Sequence, residues 1–452
     1  MNKIIPVCLF YFCAEMSFGA VCETERIQRE IDACSARGGG VVEIGPGEHK
    51  IGTLWLKSGV ELHLQAGAVL IGSEDRGDYN ALDAYPQNWH SKNEGWCGAH
   101  LIIAHEQTNV SITGEGAVDG NASAFFSDRP SWTGKIGWRK GACDTKDGGW
   151  RPGQKIVFVE CRNVRVEGVT LRNMSCWSCY FHGCEHVRVG NVRVRNDLRH
   201  LQTDGFDVDC CSDVKIGDCD IWTGDDAFAI RANPRKLKNA SRSCENVVIS
   251  NCACKASSSG VRIGVGTGLI RNVCISGLRI DGAGRGLQVQ CSYGKTSSGA
   301  NIEDVRFSDI TMRDVAQPIR VTSGTASCTA RLERVSFERI QAESYGPIHV
   351  VGGRQTVLHD VRLCDVNLIV MPFSAPLPDF PGIDSCAASP QVPIYVARAE
   401  KVRLENVNVS WGGTAKSWWD VALRSEKAAD MVVSGGSLEE LLSHTTKRKG
   451  EK

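Results

Sequence analysis

The sequence lacks an excess of charge of either sign. Its 452 residues carry 52 Lys and Arg against 52 Asp and Glu, so composition gives no reason to expect nucleic acid or an anionic membrane as a partner. Helical periodicity is scarce after the first few dozen residues, and no later segment is long and apolar enough to span a bilayer. What remains is a chain rich in turns, with 48 Gly.

The N-terminus predicts an export signal. Lys3 supplies a positive charge, Ile4 to Cys13 form an apolar stretch too short to span a bilayer, and Ser17 to Ala20 offer small residues for cleavage. We therefore expect a secreted or periplasmic protein. The predicted division is a signal peptide at 1–20, one β-helix domain at 21–441 and a disordered basic tail at 442–452.

Cysteine is unusually frequent, with 21 residues. Removal of Cys8 and Cys13 with the signal leaves an odd number, so at least one thiol is unpaired or joined to another molecule. Many cysteines fall at equivalent places in a repeat, which fits stacked, buried side chains as readily as disulfides. Cys176 and Cys179 have the spacing of a redox or metal pair, but no second pair completes a zinc site. We predict no metal and no cofactor.

A short motif, Asn/Asp-Val-x-Val/Ile, recurs along the chain and indicates a β-solenoid, in which each repeat buries its apolar face by stacking on its neighbours. An amphipathic helix over Glu23 to Ala36 is predicted to cover the open end. The first step of the ladder, 54 residues, predicts two coils plus an insertion from Ala122 to Pro152. The motif valines are Val110, Val164, Val187, Val214, Val247, Val273, Val305, Val335, Val361 and Val402.

Three stretches break the repeat. Tyr79 to His100 and Phe125 to Trp150 are predicted to be loops, and Pro372 to Pro393 a long rigid loop. The first two carry tryptophans that could be platforms for sugar rings or could pack the loops on the solenoid. These tryptophans are Trp89, Trp96, Trp132, Trp138 and Trp150.

Three carboxylates, Asp204, Asp225 and Asp226, lie about one repeat apart, because Asp204 and Asp225 are separated by 21 positions. In a solenoid they would meet in space. Each lies beside or near a Gly, so plain turn formation is the alternative. Clustered carboxylates suit glycosidic cleavage, in which one is protonated and gives a proton to the leaving oxygen while others act on water or the anomeric carbon. Crowding of like charges raises the pKa of one member.

The motifs Gln202-Thr-Asp-Gly-Phe-Asp207 and Gly224-Asp-Asp-Ala-Phe-Ala-Ile230 resemble the Asn-Thr-Asp and Asp-Asp motifs of the polygalacturonases, glycoside hydrolase family 28. The resemblance implies a right-handed parallel β-helix and inverting hydrolysis. It also implies that Asp225 is the general acid and that Asp204 and Asp226 activate water. Further similar stretches are Ile27 to Cys34, Gly38 to Val42, Val60 to Ser73 and Ile112 to Gly120.

The chain departs from that family at its cation site. Ser259 stands where the family has the His of Gly-His-Gly, and Gln288 and Gln290 replace the Arg and Lys of Arg-Ile-Lys. A carboxylate clamp is therefore missing at that position, and Gln202 replaces Asn with the amide kept. The bound sugar is neutral or differently placed, or other arginines supply the charge, or catalysis is lost and binding kept. The candidate arginines are Arg231, Arg262, Arg271 and Arg285.

Arg231 and Arg262 could each serve a subsite or be solvated, and Tyr293 could line the groove. Taken together, we predict a monomeric glycosidase that acts on a pectic or related polysaccharide, with Asp204, Asp225 and Asp226 as the catalytic residues. One alternative is a β-helix polysaccharide lyase that uses calcium and an Arg or Lys base. A second is a carbohydrate-binding β-helix without turnover. The predicted substrate-binding residues are Gln202, Arg231, Ser259, Arg262, Arg285, Gln288, Gln290 and Tyr293.

Overall fold

The chain winds into a coil of parallel strands with three faces, and strands of neighbouring coils pair along the coil axis. We name the faces A, B and C in the order in which one coil supplies Phe206–Asp209, Ser212–Gly217 and Asp220–Thr223. The predicted parallel β-helix is confirmed. The computed structural model describes residues 20–92, 95–130, 143–146, 150–293, 298–325, 327–372, 392–413 and 421–442.

Most strands are short, and each of these lies on one face. Face A contains β3 (Leu54–Trp55), β6 (Ile102–His105), β11 (Ile156–Val159), β14 (Cys179–His182), β17 (Phe206–Asp209), β20 (Phe228–Ala232), β25 (Ile348–Val351), β27 (Ile394–Ala397) and β30 (Leu423–Glu426). Face B contains β1 (Gly40–Ile44), β4 (Val60–Leu64), β7 (Thr108–Gly114), β12 (Arg162–Glu167), β15 (Glu185–Gly190), β18 (Ser212–Gly217), β28 (Ala399–Glu405) and β31 (Val432–Ser434). Face C contains β2 (Gly47–Ile51), β5 (Ala68–Gly72), β8 (Ala117–Asp119), β13 (Thr170–Arg172), β16 (Arg193–Arg195), β19 (Asp220–Thr223) and β29 (Asn408–Trp411).

Five long strands turn the corners of the coil and serve more than one face. They are β21 (Cys244–Gly266), β22 (Leu269–Gln290), β23 (Asn301–Thr322), β24 (Leu332–Ser344) and β26 (Leu358–Val370). Two one-turn helices, Arg76–Asp78 and Ala122–Ala124, lie in connections.

The motif valines form one buried column inside face B. Val110 pairs with Val164, Val164 with Val187, and the register continues coil by coil to Val402. The first residue of each motif has a left-handed backbone, as at Asn163 (φ 56°). Asn and Asp are among the few non-glycine residues that accept this conformation. The repeated Asn or Asp therefore marks the corner that leads into face B.

The predicted pair of coils between Val110 and Val164 is wrong, because β7 pairs directly with β12. The 54-residue step is one coil with a long insertion between β8 and β11. This insertion was predicted to be a loop, but it contains an antiparallel pair, β9 (Phe126–Pro130) and β10 (Cys143–Thr145).

The predicted capping helix is confirmed and spans Ala20–Ala36. Its Ile27 and Ile31 are fully buried against the first coil. The Gln28 side chain donates to the Trp55 carbonyl (3.0 Å) and accepts from the Trp55 amide (2.7 Å). The helix thus satisfies backbone groups that would otherwise form an open sheet edge.

The cysteines at equivalent places in the repeat, among them Cys161 and Cys184, are free thiols. Cys161, Cys184, Cys211 and Cys244 stack at one corner on successive coils, and the Cys184 amide donates to the Cys211 sulfur (3.3 Å). Stacking, one of the two alternatives predicted for the repeat-equivalent cysteines, is therefore the arrangement found in the described ranges.

Several predictions fall on residues outside the described ranges. They concern the signal peptide, the basic tail from 443 and the proline-rich segment at 373–391. Within the described ranges, no helix has the length and apolarity needed to cross a bilayer.

Candidate active site

The three predicted acids meet on face A, just before two neighbouring strands. Asp204 lies two residues before β17, and Asp225 and Asp226 lie shortly before β20, which pairs with β17 through Phe206 and Phe228. One carboxylate oxygen from each acid lies within 4.8 Å of the others. The repeat spacing therefore predicted this juxtaposition correctly.

Asp226 is held in the ionised form. Its oxygens accept from the Ser259 amide (2.9 Å) and pair with Arg262 Nη1 (3.3 Å). Burial alone would raise the pKa of Asp226, but Arg262, hydrogen bonds from Ser258 and Ser259, and the charge of Arg285 outweigh burial and lower it. Asp226 is thus an available base.

Asp204 has the opposite environment. It is 3% exposed, and its Oδ1 has no hydrogen-bond partner. Burial raises its pKa well above the usual range, and the charges of Asp207, Asp225 and Asp226 add to the effect, although Arg231 opposes it. Burial and the neighbouring carboxylates therefore favour the protonated form of Asp204, next to an ionised Asp226.

Asp225 is fixed through the segment that carries Asp204. Its Oδ2 accepts from the backbone amide of Gln202 (3.2 Å), a residue with a left-handed φ of 54°. The Gln202 side chain accepts from Arg151 Nη2 (2.5 Å), and Arg151 Nη1 also donates to the Ser175 and Leu201 carbonyls (2.5 and 3.2 Å). Fully buried Arg151 is a positioning residue that the sequence did not reveal, because it lies 51 positions from Gln202.

A fourth carboxylate, Asp207, also escaped the sequence analysis. It is fully buried and pairs with Arg231 Nε (2.9 Å). Burial raises its pKa to about 8, although the charge of Arg231 opposes this. Strand alternation in β17, where Phe206 and Val208 face the core, was the available signal that Asp207 faces the groove.

Of the two alternatives for Arg231 and Arg262, free solvation is wrong for both. Each side chain is 12% exposed. The Arg231 guanidinium stacks on the Trp177 ring (4.1 Å), and that of Arg262 on the Tyr293 ring (4.6 Å). Tyr293 is 58% exposed. Both arginines therefore lie on the outward side of face A, each beside a carboxylate.

The residues that replace the family's cations form a neutral hydrogen-bonded chain. Ser259 Oγ donates to Gln288 (3.1 Å), Gln288 Nε2 to Gln290 (2.6 Å), and Gln290 Nε2 to the Ser292 carbonyl (2.6 Å). Arg285 lies directly opposite Ser259 on the next coil. Where the family has an Arg and a Lys, this protein therefore has two neutral amide side chains.

Arg271 cannot supply the missing charge. It lies on face B, where it pairs with Glu245 (2.6 Å) and is 44% exposed. Since the acids lie on face A, Arg271 is excluded from the four arginines that were candidates for binding a sugar carboxylate.

The described tryptophans of the two predicted loops mostly pack the loops on the coil, which was one of the two alternatives predicted for them. Trp96 is 3% exposed, and Trp150 lies against the main core. Trp132 and Trp138 lie outside the described residues.

One group in the described ranges has the side chains to bind a metal ion, namely Asp204, Asp225 and Asp226. Cys176 and Cys179 lie in different clusters. Cys176 packs in an aromatic cluster outside the coil, whereas Cys179 packs in the interior.

Comparison with known proteins supports the motif assignment. The sequence model of "Glycosyl hydrolases family 28" matches residues 35–371. The chain belongs to glycosyl hydrolase family 28. It is therefore a glycosidase of the polygalacturonase type that hydrolyses O-glycosyl bonds, as predicted. Because this is a hydrolase family, it does not support the two alternatives, a polysaccharide lyase and a carbohydrate-binding protein without turnover.

Relatives and solved structures agree with this family. An endo-polygalacturonase of Pectobacterium parmentieri is 23% identical over 367 residues, which cover 79% of this chain and 86% of the relative. A polygalacturonase of Ralstonia solanacearum is 23% identical and covers 91% of this chain and 82% of its own. A family 28 exopolygalacturonase structure from Yersinia enterocolitica has a TM-score of 0.68 at 21% identity, and covers 91% of this chain and 75% of its own. The fold is thus a right-handed parallel β-helix, as predicted.

Proposed function

We propose that this family 28 enzyme is exported and hydrolyses a pectic or related polysaccharide other than plain homogalacturonan, with inversion at the anomeric carbon. The substrate proposal rests on the row of hydrogen bonds between the neutral side chains of Ser259, Gln288 and Gln290, which ends at the Ser292 carbonyl. A homogalacturonan chain has a carboxylate on every sugar, and amides bind a carboxylate less strongly than an Arg and Lys pair does. The sugar that contacts Gln288 and Gln290 is therefore uncharged, or its carboxylate points elsewhere.

The proposed mechanism assigns separate roles to the acids. Asp225 donates a proton to the leaving oxygen, as the resemblance implies. Asp226, kept ionised by Arg262, takes a proton from the attacking water together with Asp204. Asp225 must be protonated and Asp204 ionised before the reaction, and the short distances within the cluster allow a proton to move between the two carboxyl groups.

Inversion rests on the family resemblance rather than on spacing. Inverting pairs are usually about 6.5–9.5 Å apart and retaining pairs about 5–5.5 Å. The nearest oxygens of the three acids lie within 4.8 Å, and the anomeric configuration of the first product tests inversion directly.

Export is proposed from the N-terminal sequence, in which a positive residue precedes an apolar stretch and small residues. A monomer is proposed because a parallel β-helix capped by a helix buries its own first sheet edge. Fractionation of expressing cells and light scattering of the purified protein would test these two points.

The substrate proposal is tested with a panel of pectic polysaccharides, in which reducing ends and ultraviolet absorbance are read together. We expect new reducing ends without absorbance on branched or neutral-sugar-containing polymers, and much slower release from homogalacturonan. The double variant Gln288→Arg, Gln290→Lys should shift this preference toward homogalacturonan. Fast hydrolysis of homogalacturonan by the unaltered protein would contradict the substrate proposal, and an unsaturated, absorbing product would contradict hydrolysis.

A further inference from the structure

One row of outward positions on face A changes character at the acids. In pairing order the row reads Ile103, Val157, Tyr180, Asp207, Ala229, Arg262 and Gln288. The first three are apolar or aromatic and precede the acids, whereas charged and amide groups predominate from Asp207 onward. An outward face with apolar side chains is stable only when something covers it.

A cover is present on the N-terminal side. Ile103 and Val157 are at most 1% exposed, and Tyr180 is 5% exposed, although all three point away from the coil interior. They pack under the connection that runs from Tyr79 to His100, which contributes Tyr85, Trp89 and Trp96.

The covering residues form a continuous layer, which we name the aromatic wall and define as Tyr85, Trp89, Trp96 and Trp177. The rings of Trp89 and Trp96 are 4.4 Å apart, and those of Trp96 and Trp177 are 5.8 Å apart. Arg235 stacks on Trp89 (4.3 Å). These contacts hold the layer against three coils of face A.

The aromatic wall reaches the catalytic cluster. Trp177 is followed by Ser178, whose amide donates to the Asp204 carbonyl (2.8 Å), so the ring lies one coil from the acids. Arg231, which pairs with Asp207, stacks on the same ring. Arg151 joins the Gly95 carbonyl of the covering connection to the Leu201 carbonyl beside the acids (3.2 Å each).

We infer that the aromatic wall ends the substrate groove one coil, about 4.8 Å, from the acids, and that the enzyme cleaves its polysaccharide from a chain end. A polymer cannot extend along face A past Trp177, so only a terminal segment can enter, with its last sugar against Arg231, which stacks on the buried Trp177 ring. The product is short and of constant length. This inference rests on the proposed function, because it assumes that the acids cleave a polysaccharide.

The test follows viscosity, reducing ends and product length on the polysaccharide that the enzyme hydrolyses. We expect reducing ends to accumulate while viscosity stays nearly constant, and one short product from the first minutes. Oligosaccharides capped chemically at the attacked end should resist cleavage. A steep fall in viscosity with a ladder of intermediate lengths, or normal cleavage of oligosaccharides capped at both ends, would overturn the inference but leave the proposed function intact. Absence of any hydrolysis would overturn both.

A pair of matched variants separates the aromatic wall from general packing. Trp89→Ala removes a half-buried ring of the wall that is stacked by an arginine. Trp222→Ala removes a 46% exposed ring on face C that is stacked by Arg195 (5.0 Å). We expect Trp89→Ala to raise the viscosity loss per bond cleaved several-fold and Trp222→Ala to leave it unchanged, with both proteins folded by circular dichroism. An equal response of both variants would contradict the role of the wall.

Discussion

Faces A and B are built by the same coils, yet they follow different rules. On face B the coils from Val110 to Val402 place a valine at the same inward position and a left-handed residue at the same corner. On face A the outward residue changes from one coil to the next, from Tyr180 to Asp207 to Ala229. In this solenoid, the positions that repeat from coil to coil therefore stabilise the coil, and the positions that do not repeat form the site.

The largest expected difference between the faces concerns a carboxylate. Asp225→Asn on face A should lower the rate of hydrolysis by about 10²–10⁴, because the proton donor is lost. The same change on face B, Asp213→Asn, should leave the rate unchanged, since Asp213 has a left-handed φ of 57° that Asn also accepts. Steady-state kinetics on the preferred polysaccharide checks both variants.

Aryl glycosides refine this result. A substrate with a good leaving group needs little protonation, so Asp225→Asn should retain more of its rate there than Asp226→Asn does. Equal losses for both variants on such a substrate would contradict the assignment of Asp225 as the acid.

An arginine pair gives the second contrast. Arg262→Ala removes the cation that lowers the pKa of Asp226, so that pKa should rise, and the acid limb of the pH–rate profile should move to higher pH. Arg271→Ala on face B breaks an exposed pair with Glu245 and should leave the profile in place. An unshifted acid limb in Arg262→Ala would show that Asp226 is not the base.

A lysine pair gives the third contrast, in stability. Lys155, next to β11 on face A, is fully buried beside the rings of Tyr79 and Phe125, and burial lowers its pKa to about 7. Folding therefore becomes more costly as pH falls from about 10.5 toward 7. Lys155→Met should raise the free energy of unfolding by roughly 2–5 kcal/mol at pH 7 and by less at pH 10.

Lys215→Met on face B is the control. Because Lys215 is exposed, this variant should have the same free energy of unfolding as the unaltered protein. Thermal unfolding at both pH values checks the pair. A Lys155→Met protein that is no more stable than the unaltered one at pH 7 would show that the buried amine is compensated.

The smallest expected effect concerns the corners of face B. Asn272 has a φ of 54°, so Asn272→Ala should cost about 1–2 kcal/mol, whereas Asn272→Gly avoids the left-handed strain. Denaturant unfolding of the two variants measures the difference. Equal destabilisation by Ala and Gly would mean that the side-chain contact of Asn272 with Asn246 (3.2 Å), rather than backbone conformation, is what stabilises the corner.

The same contrast explains how far the sequence could predict the structure. Val110, Val164 and the later motif valines predicted the coil because a stacked column requires the same residue type at regular steps. Asp204 and Asp225 were predictable because they are one coil apart. The 54-residue step was misinterpreted as two coils, since an insertion and a coil add length in the same way.

The partners of the site residues were not predictable from spacing. Arg151 reaches Gln202 across 51 positions, and its partners are mainly backbone carbonyls, which have no sequence signature. The pKa values of Asp204 and Asp226 move in opposite directions although both are buried, because only Asp226 is close enough to Arg262 for an ion pair. Such differences depend on ångström-scale placement.

The anomeric configuration of the first product tests the central claim most directly. Proton NMR during the first minutes of hydrolysis, before mutarotation, distinguishes the two anomers. We expect the newly formed reducing end to have the configuration opposite to that of the bond cleaved, because Asp226 and Asp204 deliver water rather than form a bond to the sugar. A product that first appears with the original configuration would show that a carboxylate of the cluster attacks the anomeric carbon, and would contradict the proposed roles of Asp204, Asp225 and Asp226.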